Sequence, residues 1–196
     1  ACPLPIRAAN CFLPGDLKCT GPAVDLDAIA ADGATAFARA RAIGVEAIVF
    51  GSGGSRALPD GWPAAKAEEQ FVEVLRRLGP LAQQEGVTVV VEPLNSGECN
   101  FILSVTEGAK LVEAADHPHI RLLADLYHMA KEDEPLEDVT ADAELLAHVH
   151  MAEPIARTCP LPDDGTNYRL FFRALKNAGY DGRISVECSW DDLDKQ

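Results

Sequence analysis

LLADLYHMAKEDE, residues Leu122–Glu134, is an apolar run that stops on a carboxylate, Asp125, and presents an imidazole three residues later, at His128. Its length, with the turn around Pro118 just before it, predicts a buried strand rather than a helix. A buried strand that closes on a titratable group prompts a search for others, and three more runs end the same way. Val87–Val91 is followed by Glu92, Leu145–Val149 by His150, and Ile184–Val186 by Glu187.

Strand-like runs recur at Ile6–Asn10, Glu46–Phe50, Val87–Glu92, Ile120–Asp125, Leu145–His150 and Arg183–Glu187. Between them, Ala, Leu, Val and Phe recur at helical spacing over Leu26–Ile43, Ala64–Glu85 and Val105–Ala115. This alternation predicts a parallel sheet covered by helices. A dinucleotide-binding open sheet would carry G-x-G-x-x-G after its first strand, and the chain has none. The run GSGGSR at Gly51–Arg56 has neither that spacing nor a G-K-[ST] ending, and reads as a tight turn from which Ser52 or Arg56 could face a substrate.

In a closed barrel the C-terminal strand ends share one mouth, so Glu92, Asp125, His150 and Glu187 would meet. Three carboxylates and one imidazole form a hard, oxygen-rich set suited to Mn2+ or Mg2+, with Co2+ or Zn2+ admitted by the imidazole. Candidate substrate groups surround it: His128, Glu98 six residues after Glu92, and Arg157 seven after His150. His148 is expected to face away from His150 and to serve structure.

Composition narrows the function. The chain has 196 residues, 47% of them apolar, which reads as a single domain over 1–196. Seventeen basic against 31 acidic residues leave a net charge of -14, which disfavours nucleic acid and anionic membranes as partners. The six cysteines show no C-x-x-C pairing, so reduced thiols in a cytoplasmic protein are expected. No apolar segment approaches the roughly 18 residues of a membrane span, and the opening ACPLPIRAANC lacks the features of a signal peptide. The expected partner is a small molecule, and a homo-oligomer is compatible with the sequence.

ANCFLPG, IVFGSGGSR, VEPLN, LLADLYHM, HVHMAE and GRISVE together resemble, in order and through essentially the whole chain, the xylose isomerase-like TIM barrels of the sugar phosphate isomerase/epimerase group, whose relatives include ketose 3-epimerases and hydroxypyruvate isomerases. The resemblance implies a (β/α)8 barrel with one divalent metal, Mn2+ foremost, on Glu92, Asp125, His150 and Glu187. It implies a sugar or hydroxy-keto substrate contacted by Glu98, His128 and Arg157. Glu92 and Glu187 would be the catalytic acid/base pair, moving a proton alpha to a carbonyl through an enediolate. ARTCPLPDDG departs from the family's usual Arg followed shortly by Pro-Gly. The resemblance also implies N-terminal truncation, with strands three to eight present and an open seam flanked by two unpaired edges. Alternatives on the same barrel are an inosose-type dehydratase and a non-catalytic sugar-binding barrel or inactive fragment. An abasic-site endonuclease would need a multi-zinc cluster and a basic groove, and the sequence carries neither.

Overall fold

The computed structural model of the chain describes residues 4–190. Six strands form one parallel sheet in sequential order: β1 (Ala8–Ala9), β2 (Ala47–Phe50), β3 (Thr88–Val91), β4 (Ile120–Asp125), β5 (Leu146–Met151) and β6 (Ile184–Val186). Between strands run the long helices α1 (Leu26–Ile43), α3 (Ala64–Glu85), α4 (Val105–Ala115) and α7 (Tyr168–Asn177), with the short α2 (Gly53–Arg56), α5 (Leu126–Lys131) and α6 (Asp138–Ala141) beside them. This is the strand order of a TIM barrel opened along one seam. The three helices expected from periodicity coincide with α1, α3 and α4. In α1 the end signals are visible in the side chains: Asp25 accepts from the Asp27 and Ala28 amides, and Gly44 stops the helix in a left-handed conformation.

Strand boundaries differ from expectation by a residue or more at every strand but β4. Only Ala8 and Ala9 of the first run pair with β2, opposite Ala47 and Ile48. Leu145 is drawn into the turn Ala143–Leu145, so β5 begins one residue later than predicted. A register shift between Leu122 and Leu123 then leaves Ala147 without a partner and sets Asp125 opposite His150.

The pleat sorts these residues onto two faces. Ile48, Phe50, Val89, Val91, Ile120, Leu122, Ala124 and Val149 point to the helices and form the two large apolar clusters. Val49, Val90 and Leu123, with Ala147 against them, form a small apolar layer on the inner face. Glu92, Asp125, His150 and Glu187 stand on that inner face, above the layer, at the C-terminal rim. The sheet curls enough for its edges to touch through side chains: Asn10 donates to the Glu187 carboxylate, and Glu46 pairs with both Arg7 (2.7 Å) and Arg183 (3.3 Å). Among the described residues, β1 and β6 each pair on one side only. No helix there is long and apolar enough to cross a membrane.

Candidate metal and substrate site

Asp125 is the last residue of β4 and His150 lies within β5 beside it, while Glu92 and Glu187 directly follow β3 and β6. Glu92, Asp125 and His150 are buried, and the Glu187 side chain is 27% exposed. Ligand-competent atoms of Glu92, Asp125, Glu187 and His128 all lie within 4.8 Å of one another. His150 adjoins that group: its Nδ1 is 3.0 Å from Glu92 Oε1 and 3.5 Å from Glu187 Oε2. The five groups therefore come together from four strand ends.

Crowding sets the electrostatics. Burial, reinforced by the Glu92 carboxylate, pushes Asp125 up to about 7. Burial opposes charge on His150, but its hydrogen bonds with Glu187 and Glu92 prevail and push it up to about 10. Burial likewise opposes charge on Glu187, yet His150 and Arg157 hold it down at about 2. Asp125 Oδ2 and His128 Nε2 are buried without a hydrogen-bond partner, 3.7 Å apart. An uncompensated acceptor among three carboxylates is costly in a low-dielectric interior, and a divalent cation would relieve it. The donor set fits such an ion.

The substrate candidates also converge. Arg157 Nη1 donates to Glu98 Oε1 at 3.1 Å and Nη2 to Glu187 Oε2 at 2.6 Å, while its guanidinium lies over the Tyr127 ring at 4.7 Å. Glu153 shapes the loop that presents it, because its two carboxylate oxygens accept from the Ile155 and Ala156 amides. His128 is buried at the start of α5, where Asp125 caps the helix through the Tyr127 amide. A cavity of about 390 Å³ opens above these groups, walled by Asn10, Ser52, Glu92, Glu98, Arg157 and Glu187. At Gly51 a Cβ would overlap Glu92 Oε2, so a larger residue there would displace that carboxylate.

GSGGSR divides its roles. Ser52 lines the cavity and accepts from the Leu13 amide, whereas Arg56 is fully buried, with none of its guanidinium nitrogens bonded. The expectation for His148 is corrected: residues two apart on a strand share a face, so its ring stacks edge-on against His150 at 5.1 Å. Its Nε2 shares a hydrogen bond with Ser185 Oγ at 2.9 Å. Asn95, Asn10, Tyr127 and Glu153 escaped sequence reading. Asn95 and Glu153 sit inside the quoted VEPLN and HVHMAE stretches, but a neutral amide and a loop carboxylate carry no spacing signal. Cys11, Cys19, Cys99, Cys159 and Cys188 are free thiols, and Cys2 lies outside the described residues.

The sequence profile described as xylose isomerase-like TIM barrel matches residues 18–196. A 3-dehydro-D-guloside 4-epimerase of Escherichia coli (strain K12) is 30% identical over 115 residues, covering 58% of this chain and 43% of that protein. The hydroxypyruvate isomerase of the same strain is 28% identical over 132 residues, 66% of this chain and 51% of that one. The chain thus spans about half the length of the curated relatives it matches. A crystal structure of D-psicose 3-epimerase, determined in the presence of D-fructose, superposes with a TM-score of 0.81 at 20% identity over 94% of this chain and 64% of that one, a likeness of fold.

Proposed function

The chain belongs to the xylose isomerase-like TIM barrel family, and on that premise we propose that it is a divalent-metal-dependent sugar isomerase or epimerase that moves a proton alpha to a carbonyl. One observation carries the proposal. Glu92, Asp125, His150 and Glu187, far apart in sequence, stand together on the inner rim of the sheet, with Glu92 Oε1 at 3.0 Å and Glu187 Oε2 at 3.5 Å from His150 Nδ1.

Glu92, Asp125, His150 and Glu187 would hold the cation, Mn2+ foremost, with Mg2+, Co2+ or Zn2+ as alternatives. Once bound, it supplies Lewis-acid charge stabilisation for the carbonyl and hydroxyl oxygens of a small sugar or hydroxy-ketone. The remaining work falls to the chain. Glu92 and Glu187 exchange the roles of base and acid, one taking the C–H proton next to the carbonyl and the other returning one to the enediolate. Held down by His150 and Arg157, Glu187 stays a carboxylate able to accept a proton. Arg157 and His128 orient substrate oxygens, and Glu98 receives a hydroxyl. The setting is cytoplasmic, consistent with five free thiols.

Solvent deuterium uptake into a panel of ketoses, aldoses and hydroxypyruvate, followed by NMR with Mn2+, tests the proposal. Exchange should appear and fall by about 10²–10⁴-fold in Glu187→Gln. Undiminished exchange in that variant would refute the role of Glu187, and a dehydrated product would place the chemistry with water elimination instead.

A further inference from the structure

We infer that Asn95 is a positioning residue whose amide fixes the tautomer of His128, making its Nε2 a hydrogen-bond donor to the substrate and excluding it from the metal's ligands. The orientation of the Asn95 amide follows from its neighbours. Its Oδ1 lies 3.0 Å from the Gly97 backbone N–H, which can only donate. Its Nδ2 lies 3.0 Å from Glu98 Oε1, which as a carboxylate oxygen accepts. No flip of the amide satisfies both contacts, so Nδ2 is the group facing His128.

That Nδ2 is 2.8 Å from His128 Nδ1, and the Asn95 backbone N–H points at the same nitrogen from 3.2 Å. Two donors converge on one ring nitrogen, so Nδ1 is the acceptor and the neutral ring carries its proton on Nε2. Asn95 and His128 are buried, 7% and 2% exposed, which keeps water from substituting for either contact. Burial also favours the neutral ring. Nε2 has no hydrogen-bond partner and lies 3.7 Å from Asp125 Oδ2. A nitrogen that carries a proton has no lone pair for a cation. His128 Nε2 is therefore a donor rather than a cation ligand. The same amide bonds Glu98, so one side chain sets the direction of two substrate groups.

The tautomer stands independently of the isomerase proposal; only the loss of turnover rests on that reading. The first measurement is nitrogen-15 NMR of the imidazoles in the full chain without metal. His128 should show a protonated Nε2 and an unprotonated Nδ1, and the reverse pattern would overturn the inference. Adding Zn2+, which favours nitrogen ligands, should leave the His128 Nε2 proton in place, and its loss would also overturn the inference. In Asn95→Asp a carboxylate faces Nδ1 and accepts, so the ring should shift towards the Nδ1-protonated form, whereas Asn95→Ala keeps only the backbone donor and should shift less. An unchanged ring in Asn95→Asp refutes the assignment. If a substrate is turned over, Asn95→Asp should lower kcat by about 10–100-fold, the usual cost of losing such an orienting partner. A purely structural role would lower the folded fraction and leave the tautomer as it was.

Discussion

Replacing Asp125 by asparagine should raise the stability of the chain without metal and abolish most of its response to metal. Asp125 is 1% exposed, one carboxylate oxygen has no partner, and burial with Glu92 raises it from 3.8 to about 7. A raised folded-state value means that the folded chain holds the proton more tightly. Stability is then fully present below the ordinary aspartate value and is lost as pH rises through about 7. At about 1.4 kcal/mol per pH unit, the ionised carboxylate costs up to roughly 4 kcal/mol at pH 8. With relaxation in a medium of effective dielectric about 20, about 2 kcal/mol is a realistic share. Asparagine removes the charge and keeps the Oδ1 that accepts the Tyr127 amide at 2.8 Å. Metal-free Asp125→Asn should therefore melt about 4–8 °C above the native chain at pH 8, and the two should converge as pH falls towards 4. Mn2+ at a hundredfold excess over its Kd should stabilise the native chain by about 2.7 kcal/mol, roughly 5–11 °C, and the variant far less. Calorimetric melts with chelator and with Mn2+ measure both effects. A variant that melts lower than the native chain without metal, or that keeps the full Mn2+ shift, would refute the reasoning.

Glu134 accepts the Val105 amide at 2.6 Å, and burial pushes it up to about 7, so its contribution to stability is also lost as pH rises from its ordinary 4.5 through 7. Glu134→Gln should remove part of the fall in urea midpoint between pH 5 and 8; a profile parallel to the native one counts against this. Leu78 is fully buried in α3 and fills the space beside Gly33 of α1, where a Cβ would collide with it. Leu78→Ala should cost about 2–5 kcal/mol in equilibrium urea unfolding, and a loss under 1 kcal/mol would show that α1 and α3 close over the void.

Much of the architecture was legible because it is written in local periodicity. α1, α3 and α4 each repeat their apolar residues on one helical face, and short β-branched runs such as TVVV at Thr88–Val91 can bury both sides of a parallel strand. The rim groups were legible for a related reason. Each strand's apolar run stops where its inner face meets the mouth, and the residue at that point is Glu92, Asp125, His150 or Glu187. The face of His148 was misjudged against the two-residue period of a strand, an error that the His148–His150 stacking exposes.

Local pattern and chain-wide sums fix the β/α alternation, the spans of α1, α3 and α4, the strands that end in ligand-competent groups, and the acidic charge that disfavours nucleic acid; α7 (Tyr168–Asn177) is not among the helices read from periodicity. Only the tertiary structure decided which side chains share an environment. Asn10 reaches Glu187 across 177 positions, and Arg157 bridges Glu98 and Glu187 across 59 and 30. Asp125 is raised by burial and by the Glu92 carboxylate just beyond β3, and Asn95 of one loop faces His128 of a helix 33 residues on. Such contacts depend on the curl of the sheet and on the register shift in β4, and no local pattern encodes either. Charge and hydrogen bonding act through space over a few ångströms, so the protonation, direction and pairing of the site residues exist only once the sheet has brought them together.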